Sequence, residues 1–139
     1  MKAAFPLLAA ILLAGCYSEP APLITVNYAR VVAMPTSAVA YFTLANSGGR
    51  DRLLSVDVDG AGRAGLHETS FSGGIMRMRA LDQGIEVPAR GRIPLSPSGR
   101  HVMIEQLANP LPLGSHIRLN LQFERQGKVV INAPVGGPR

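Results

Sequence analysis

Residues Ser115–Phe123, SHIRLNLQF, alternate without a break: Ile117, Leu119, Leu121 and Phe123 share one parity, while His116, Arg118, Asn120 and Gln122 share the other. A period of two marks a strand with one face on a core and one in water. The same parity assigns His116 to solvent and to no role in a site. Six further runs alternate or are rich in β-branched residues: Ile24–Ala33, Ala38–Ala45, Arg52–Val58, Ile75–Leu81, His101–Leu107 and Lys128–Ala133. Turn-forming clusters separate them, among them NSGGRD at Asn46–Asp51 and PSG at Pro97–Gly99. No stretch sustains a helical period. Seven or so strands at this spacing predict an all-β Greek-key sandwich or barrel.

The N-terminus follows a different pattern. Lys2 leads an apolar run from Phe5 to Leu13, too short to span a bilayer, which reads as an export signal. It closes with LAGC, Leu13–Cys16, which resembles the lipobox of bacterial lipoproteins. The expected organisation is a lipoprotein signal peptide over 1–15, a lipidated tether over 16–22 beginning at Cys16, and one β domain over 23–139. Such a chain is exported, faces the periplasm and is anchored through Cys16. Tyr17 follows the cysteine in place of the aspartate that commonly retains lipoproteins at the inner membrane, and the choice of membrane stays open.

Composition narrows the chemistry. Cys16 is the single cysteine among 139 residues. That excludes a disulfide framework, a thiolate zinc site, a CxxC redox pair and a cysteine nucleophile. A blue-copper centre, which needs a thiolate, is excluded with them. The formal charge of +5 comes mainly from arginines scattered from Arg30 to Arg139, with no tryptophan and few aromatics, a poor pattern for nucleic-acid binding.

Parity raises a question at HVMIEQ. Val102 and Ile104 take one face, so His101, Met103 and Glu105 take the other, and a methionine shares the polar face with a histidine. A His-x-Met step sets an imidazole and a thioether on one side of a strand, about 7 Å apart at Cα. In IMRMR, Met76 and Met78 share a face opposite Arg77 and Arg79, a pattern equally expected of two methionines packed on a core. His67 follows the small-residue stretch Gly60–Gly65 at the end of an expected short strand. Imidazole and thioether are the donors left to an exported chain whose only thiol is spent. Thioethers favour Cu(I) over zinc, magnesium or calcium. Two methionines and two neutral histidines leave the ion with its charge of +1, a site able to hold copper and to release it.

His67, Met78, His101 and Met103, in that order, resemble the motif H-x10-M-x21-H-x-M of the periplasmic copper chaperones called PCu(A)C. The similarity extends through AYFTLANSGGRDRLLSVDV, LHETSFSGGIMRMR, GIEVPARGRIPLSPSGRHVMIEQL and a final strand ending NAPV. Met76 falls outside the register and is assigned to packing. Two departures stand out. Twenty-two residues separate Met78 from His101 where the family has twenty-one, and LDQGIEV is the turn where one more residue is harmless. SGRH replaces the usual glycine-glycine-aromatic approach to the second histidine and brings Arg100 beside it, although parity aims Arg100 away.

The resemblance implies a cupredoxin-like β-barrel that binds Cu(I) through His67, Met78, His101 and Met103. It also implies delivery to an exported acceptor, typically the copper centre of cytochrome c oxidase, with a Sco-type thiol protein as a co-worker. Two other readings stay open: a copper-sequestering tolerance protein, and a metal-free, lipid-anchored β-sandwich interaction module. An enzyme is not expected, because no Ser-His-Asp or paired-carboxylate arrangement can be placed. Four protein ligands would also leave a metal no open position.

Overall fold

The structure, a computed structural model, describes residues 17–138. The signal peptide and Cys16 lie outside the described residues. The described residues form ten strands and no helix. They are β1 (Ile24–Ala33), β2 (Ala38–Asn46), β3 (Asp51–Val58), β4 (Arg63–Ser72), β5 (Ile75–Ala80), β6 (Ile85–Val87), β7 (Arg92–Pro94), β8 (Arg100–Glu105), β9 (His116–Phe123) and β10 (Lys128–Gly136).

Their hydrogen-bonded order is β5-β4-β8-β2-β1-β10-β9-β3-β6, with β7 also pairing with β2. The first five strands make one antiparallel sheet and the last four a second, joined where β1 and β10 run parallel. β8 pairs with the first half of β2 and β7 with its second half, so the turn at 97–99 interrupts one edge partner of β2. The result is a cupredoxin-like β-sandwich, the all-β fold that the alternation predicts.

The core follows parity. Ala38, Ala40, Phe42 and Leu44 of β2 face inward, as do Ile117, Leu119, Leu121 and Phe123 of β9 and Val102 and Ile104 of β8. His116 is exposed, as its place in the alternation requires. In β2 the inward parity ends on a polar residue, Asn46, which is buried and fully bonded. Its side-chain carbonyl accepts from the Leu23 and Gly48 amides, and its amide donates to the carbonyls of Gly49 and Pro88. Buried Asp51 plays the matching part at the start of β3 by accepting from the amides of Arg52, Arg125 and Gln126. Two buried polar residues therefore tie three loops together at one end of the sandwich.

Two expectations need correction. His67 does not end a short strand: β4 runs ten residues and His67 sits in its middle. Met76 and Met78 do not back onto a core, since every residue of β5 is exposed. β5 is the outermost strand of its sheet, and the hairpin it forms with β4 extends past the last residue of β8 that pairs with β4, Arg100, so no second layer covers it. The hairpin turns on Gly73 and Gly74, with φ of 60° and 75°. Two consecutive residues with positive φ make the tight turn whose twist matches the flanking strands.

The segment ahead of β1 is fixed to the sandwich. Glu19 accepts from the Arg50 amide and guanidinium, Arg125 donates to the carbonyls of Glu19 and Pro20, and the Gly49 amide donates to Ala21. Gly48 and Gly49 let the segment lie so close, because a Cβ on either would collide with the backbone at Ala21 or Pro20. Gly49→Ala should therefore release Glu19–Leu23 and lower the melting midpoint by only about 4 °C for roughly 1 kcal/mol lost. Limited proteolysis should cut the variant faster between Tyr17 and Leu23. Unchanged cleavage would show that this contact does not hold the segment.

Candidate metal centre

β4 lies between β5 and β8, and its register with each decides which side chains meet. Against β8, Leu66 pairs with Val102, Ala64 with Ile104, Gly65 with Met103 and His67 with His101. Directly opposed residues of an antiparallel pair point to the same side. Leu66, Val102 and Ile104 face the core, so Gly65, His67, His101 and Met103 share the outer face. Against β5, His67 pairs with Ala80, Thr69 with Met78 and Phe71 with Met76. Met78 therefore lies on that face too, diagonal to His67, a position about 7–8 Å away at Cα and within reach of a long side chain.

The two imidazoles stack, with centroids 6.1 Å apart and planes 19° from parallel. Two imidazoles on one ion, with metal–nitrogen bonds of about 2 Å, hold their centroids about 5–6.5 Å apart, a range that includes this separation. Each ring is oriented by a backbone carbonyl two residues earlier in the chain. Nδ1 of His67 lies 3.3 Å from the Gly65 carbonyl, and Nδ1 of His101 lies 3.0 Å from the Gly99 carbonyl. A carbonyl only accepts, so Nδ1 carries the proton in each neutral ring and Nε2 keeps its lone pair for a ligand. Gly65 makes room for this: a Cβ there would stand 3.2 Å from Cε1 of His67.

Burial is graded across the four. His101 is 4% exposed, His67 and Met103 are half-buried, and Met78 is 54% exposed. Among the described residues no three His, Cys, Asp or Glu side chains converge as metal ligands. An open groove of about 460 Å³ between β3 and β4 runs up to His67 and Ala80 without touching a methionine.

Arg100 is directed away from this face. It pairs with Glu68 at 3.4 Å, and Arg79 of β5 bonds the same carboxylate at 2.8 Å. The hydrogen bond from Arg79 and the charge of Arg100 hold the Glu68 carboxyl below its usual range, so it stays ionised. Glu68 thus joins β5, β4 and β8 on the face opposite the histidines. The sequence gives no advance sign of this three-strand tie, nor of the orienting carbonyls of Gly65 and Gly99. Only the glycine inside a strand hints at a close approach.

The sandwich is similar in fold to solved PCuAC domains. The copper-bound PCuAC domain from PmoF2 is 25% identical, with a TM-score of 0.67 over 83% of this chain and 93% of that domain. The solution structure of apo-DR1885 from Deinococcus radiodurans is 30% identical, with a TM-score of 0.62 over 99% of this chain and 95% of that one. Its CuI form is 28% identical, with a TM-score of 0.64 over 88% of this chain and 83% of that one. The chain belongs to the family described as "Putative lipoprotein LpqE-like", whose pattern matches residues 24–135. A relative in that vein, "Putative lipoprotein Lxx21020" of Leifsonia xyli subsp. xyli (strain CTCB07), is 33% identical over 70 residues. That match spans 50% of this chain and 42% of the relative.

The ring orientations can be read directly. Nitrogen-15 spectra at neutral to mildly alkaline pH should show both His67 and His101 as the Nδ1–H tautomer. In Gly65→Val the His67 signals alone should move strongly. Nε2–H rings in the parent protein would contradict the geometry.

Proposed function

We propose that the chain is a Cu(I)-binding carrier that takes His67, Met78, His101 and Met103 as ligands and passes the ion to another exported protein. The observation that carries the reading is the register that puts two imidazoles with free Nε2 atoms and two thioethers on one face of β5-β4-β8. Support comes from the structural neighbours, which include copper-bound and CuI forms. The donor set suits the monovalent ion: thioethers are soft, all four ligands are neutral, and thiolate is not needed. Met78, the most exposed of the four, is the ligand that an incoming acceptor would displace first.

The acceptor we favour is the copper centre of cytochrome c oxidase, with a Sco-type thiol protein assisting. This rests on the resemblance to PCu(A)C chaperones. Export and attachment to the membrane through lipidated Cys16 fit a family of lipoprotein-like sequences. We assign no catalytic role, because a four-ligand site offers substrate no open coordination position.

An anaerobic titration against a chromophoric Cu(I) chelator tests the ligand set. The parent chain should take one Cu(I), and Met78→Leu with Met103→Leu should weaken binding at least tenfold, whereas Met76→Leu should leave it unchanged. Equal affinity in the double variant would refute the assignment. Cu(I) at a hundred times its dissociation constant should also stabilise the parent fold by about 2.7 kcal/mol.

Mild peroxide gives a separate check through the same thioethers. Sulfoxide at Met78 or Met103 should weaken Cu(I) binding until a methionine sulfoxide reductase restores it. Full affinity with sulfoxide confirmed at both positions would count against them as ligands.

A further inference from the structure

The tip of the β4–β5 hairpin presents Phe71, Ile75 and Met76, exposed by 72%, 54% and 70%, around the Gly73–Gly74 turn. Phe71 and Met76 form a cross-strand pair, so two large apolar side chains stand together in solvent. We propose that this tip docks on the surface of an anionic lipid bilayer, at the end of the sandwich from which the N-terminal segment leaves.

Register places the tip and the segment at one end. Ala40 of β2 and Leu66 of β4 both pair with Val102. From that level, β2 runs six residues to Asn46 and β4 runs six to Ser72 in the same direction, each about 20 Å. Asn46, Gly48 and Gly49 are the residues that hold Leu23, Ala21 and Pro20. Because Glu19 is already bonded to Arg50, only two residues, Tyr17 and Ser18, separate Cys16 from a fixed point. A lipid on Cys16 would therefore enter the bilayer within about 10 Å of Glu19. So short a leash brings this end, and the hairpin tip with it, against the membrane.

Charge favours the same orientation. The arginines that are scattered in sequence gather here. Exposed Arg90 donates its amide to Gly48, exposed Arg92 pairs with Ala45, and Arg77 sits two residues from the tip. None of these three forms an ion pair among the described residues. Toward the other end, Arg118 bonds Asp59, while Arg63 stands in register opposite Glu105 without an ion pair among the described residues. Apolar side chains at the same end as unpaired arginines suit the boundary between acyl chains and anionic headgroups.

The chain has no tryptophan, so Phe71→Trp adds a single emitter. Full-length chain is mixed with vesicles of phosphatidylglycerol and phosphatidylcholine carrying brominated acyl chains. The Phe71→Trp emission should shift to the blue and lose at least half its intensity. Leu113→Trp, 69% exposed beside Gly137 at the other end, should keep its emission. Met76→Trp provides a second tip position, and replacing phosphatidylglycerol with phosphatidylcholine should reduce the quenching severalfold. Unquenched tip emission, with the chain bound to vesicles or not, overturns the proposal and leaves the patch to a protein partner. Equal quenching at both ends overturns it as well. The Cu(I) titration needs no lipid, so the two readings fail separately.

Discussion

The candidate site depends on the register of β4 against β8. Leu66 opposite Val102 and Ala64 opposite Ile104 bury apolar side chains in the core, and these pairings place His67 opposite His101 on the outer face. A slip of one residue would send Leu66 to solvent and drive a histidine inward. The imidazole pair is thus held by hydrophobic burial on the other side of the same sheet and needs no metal to assemble it. Each ring is then turned by a backbone carbonyl two residues earlier in the chain, Gly65 within β4 and Gly99 in the turn just before β8. The free nitrogens are set by backbone geometry that the core makes rigid.

β5 is held in another way. It buries nothing, and it is kept in register by its ladder with β4, by the glycine turn and by the ion pairs of Glu68 with Arg79 and Arg100. Exposed ion pairs are individually weak. Bridging both neighbours through one carboxylate nevertheless puts the tie where the outer half of β4 leaves the cover of β8. It also keeps two guanidinium groups off the face where a cation would bind.

Much of this could be read from alternation. The β9 pattern fixed the solvent side of His116, and the β8 pattern separated His101 and Met103 from Val102 and Ile104 before any coordinates. Parity likewise aimed Arg100 away from the histidines. β4 was harder, because GAGRAGLHETSFS contains few apolar residues in alternation. Most of its strand character comes from partners on both sides, which a single segment cannot announce. The burial of Met76 was misread for a related reason. Parity tells which residues share a face but not whether anything lies opposite, and at an outermost strand nothing does. The docking of Glu19–Leu23 depends on Arg125, more than a hundred residues away, and on two glycines whose role emerges only in three dimensions.

The gradient of burial is what the proposed carrier role would need and a permanent holder would not. A site whose ligands were all as enclosed as His101 would require the fold to open before an acceptor could reach the ion. Here enclosure falls from His101 through His67 and Met103 to Met78, and the open side is the one farthest from the core. With Met78 as a ligand, a competing donor would approach from β5 and replace a neutral thioether, for which no charge need be compensated. The imidazole pair keeps its geometry throughout, because the contacts that position it lie across the sheet. Under the proposed ligand set, holding and releasing would fall to different strands: the core-fixed pair β4 and β8 would carry the firm half, and the uncovered edge strand the half that yields.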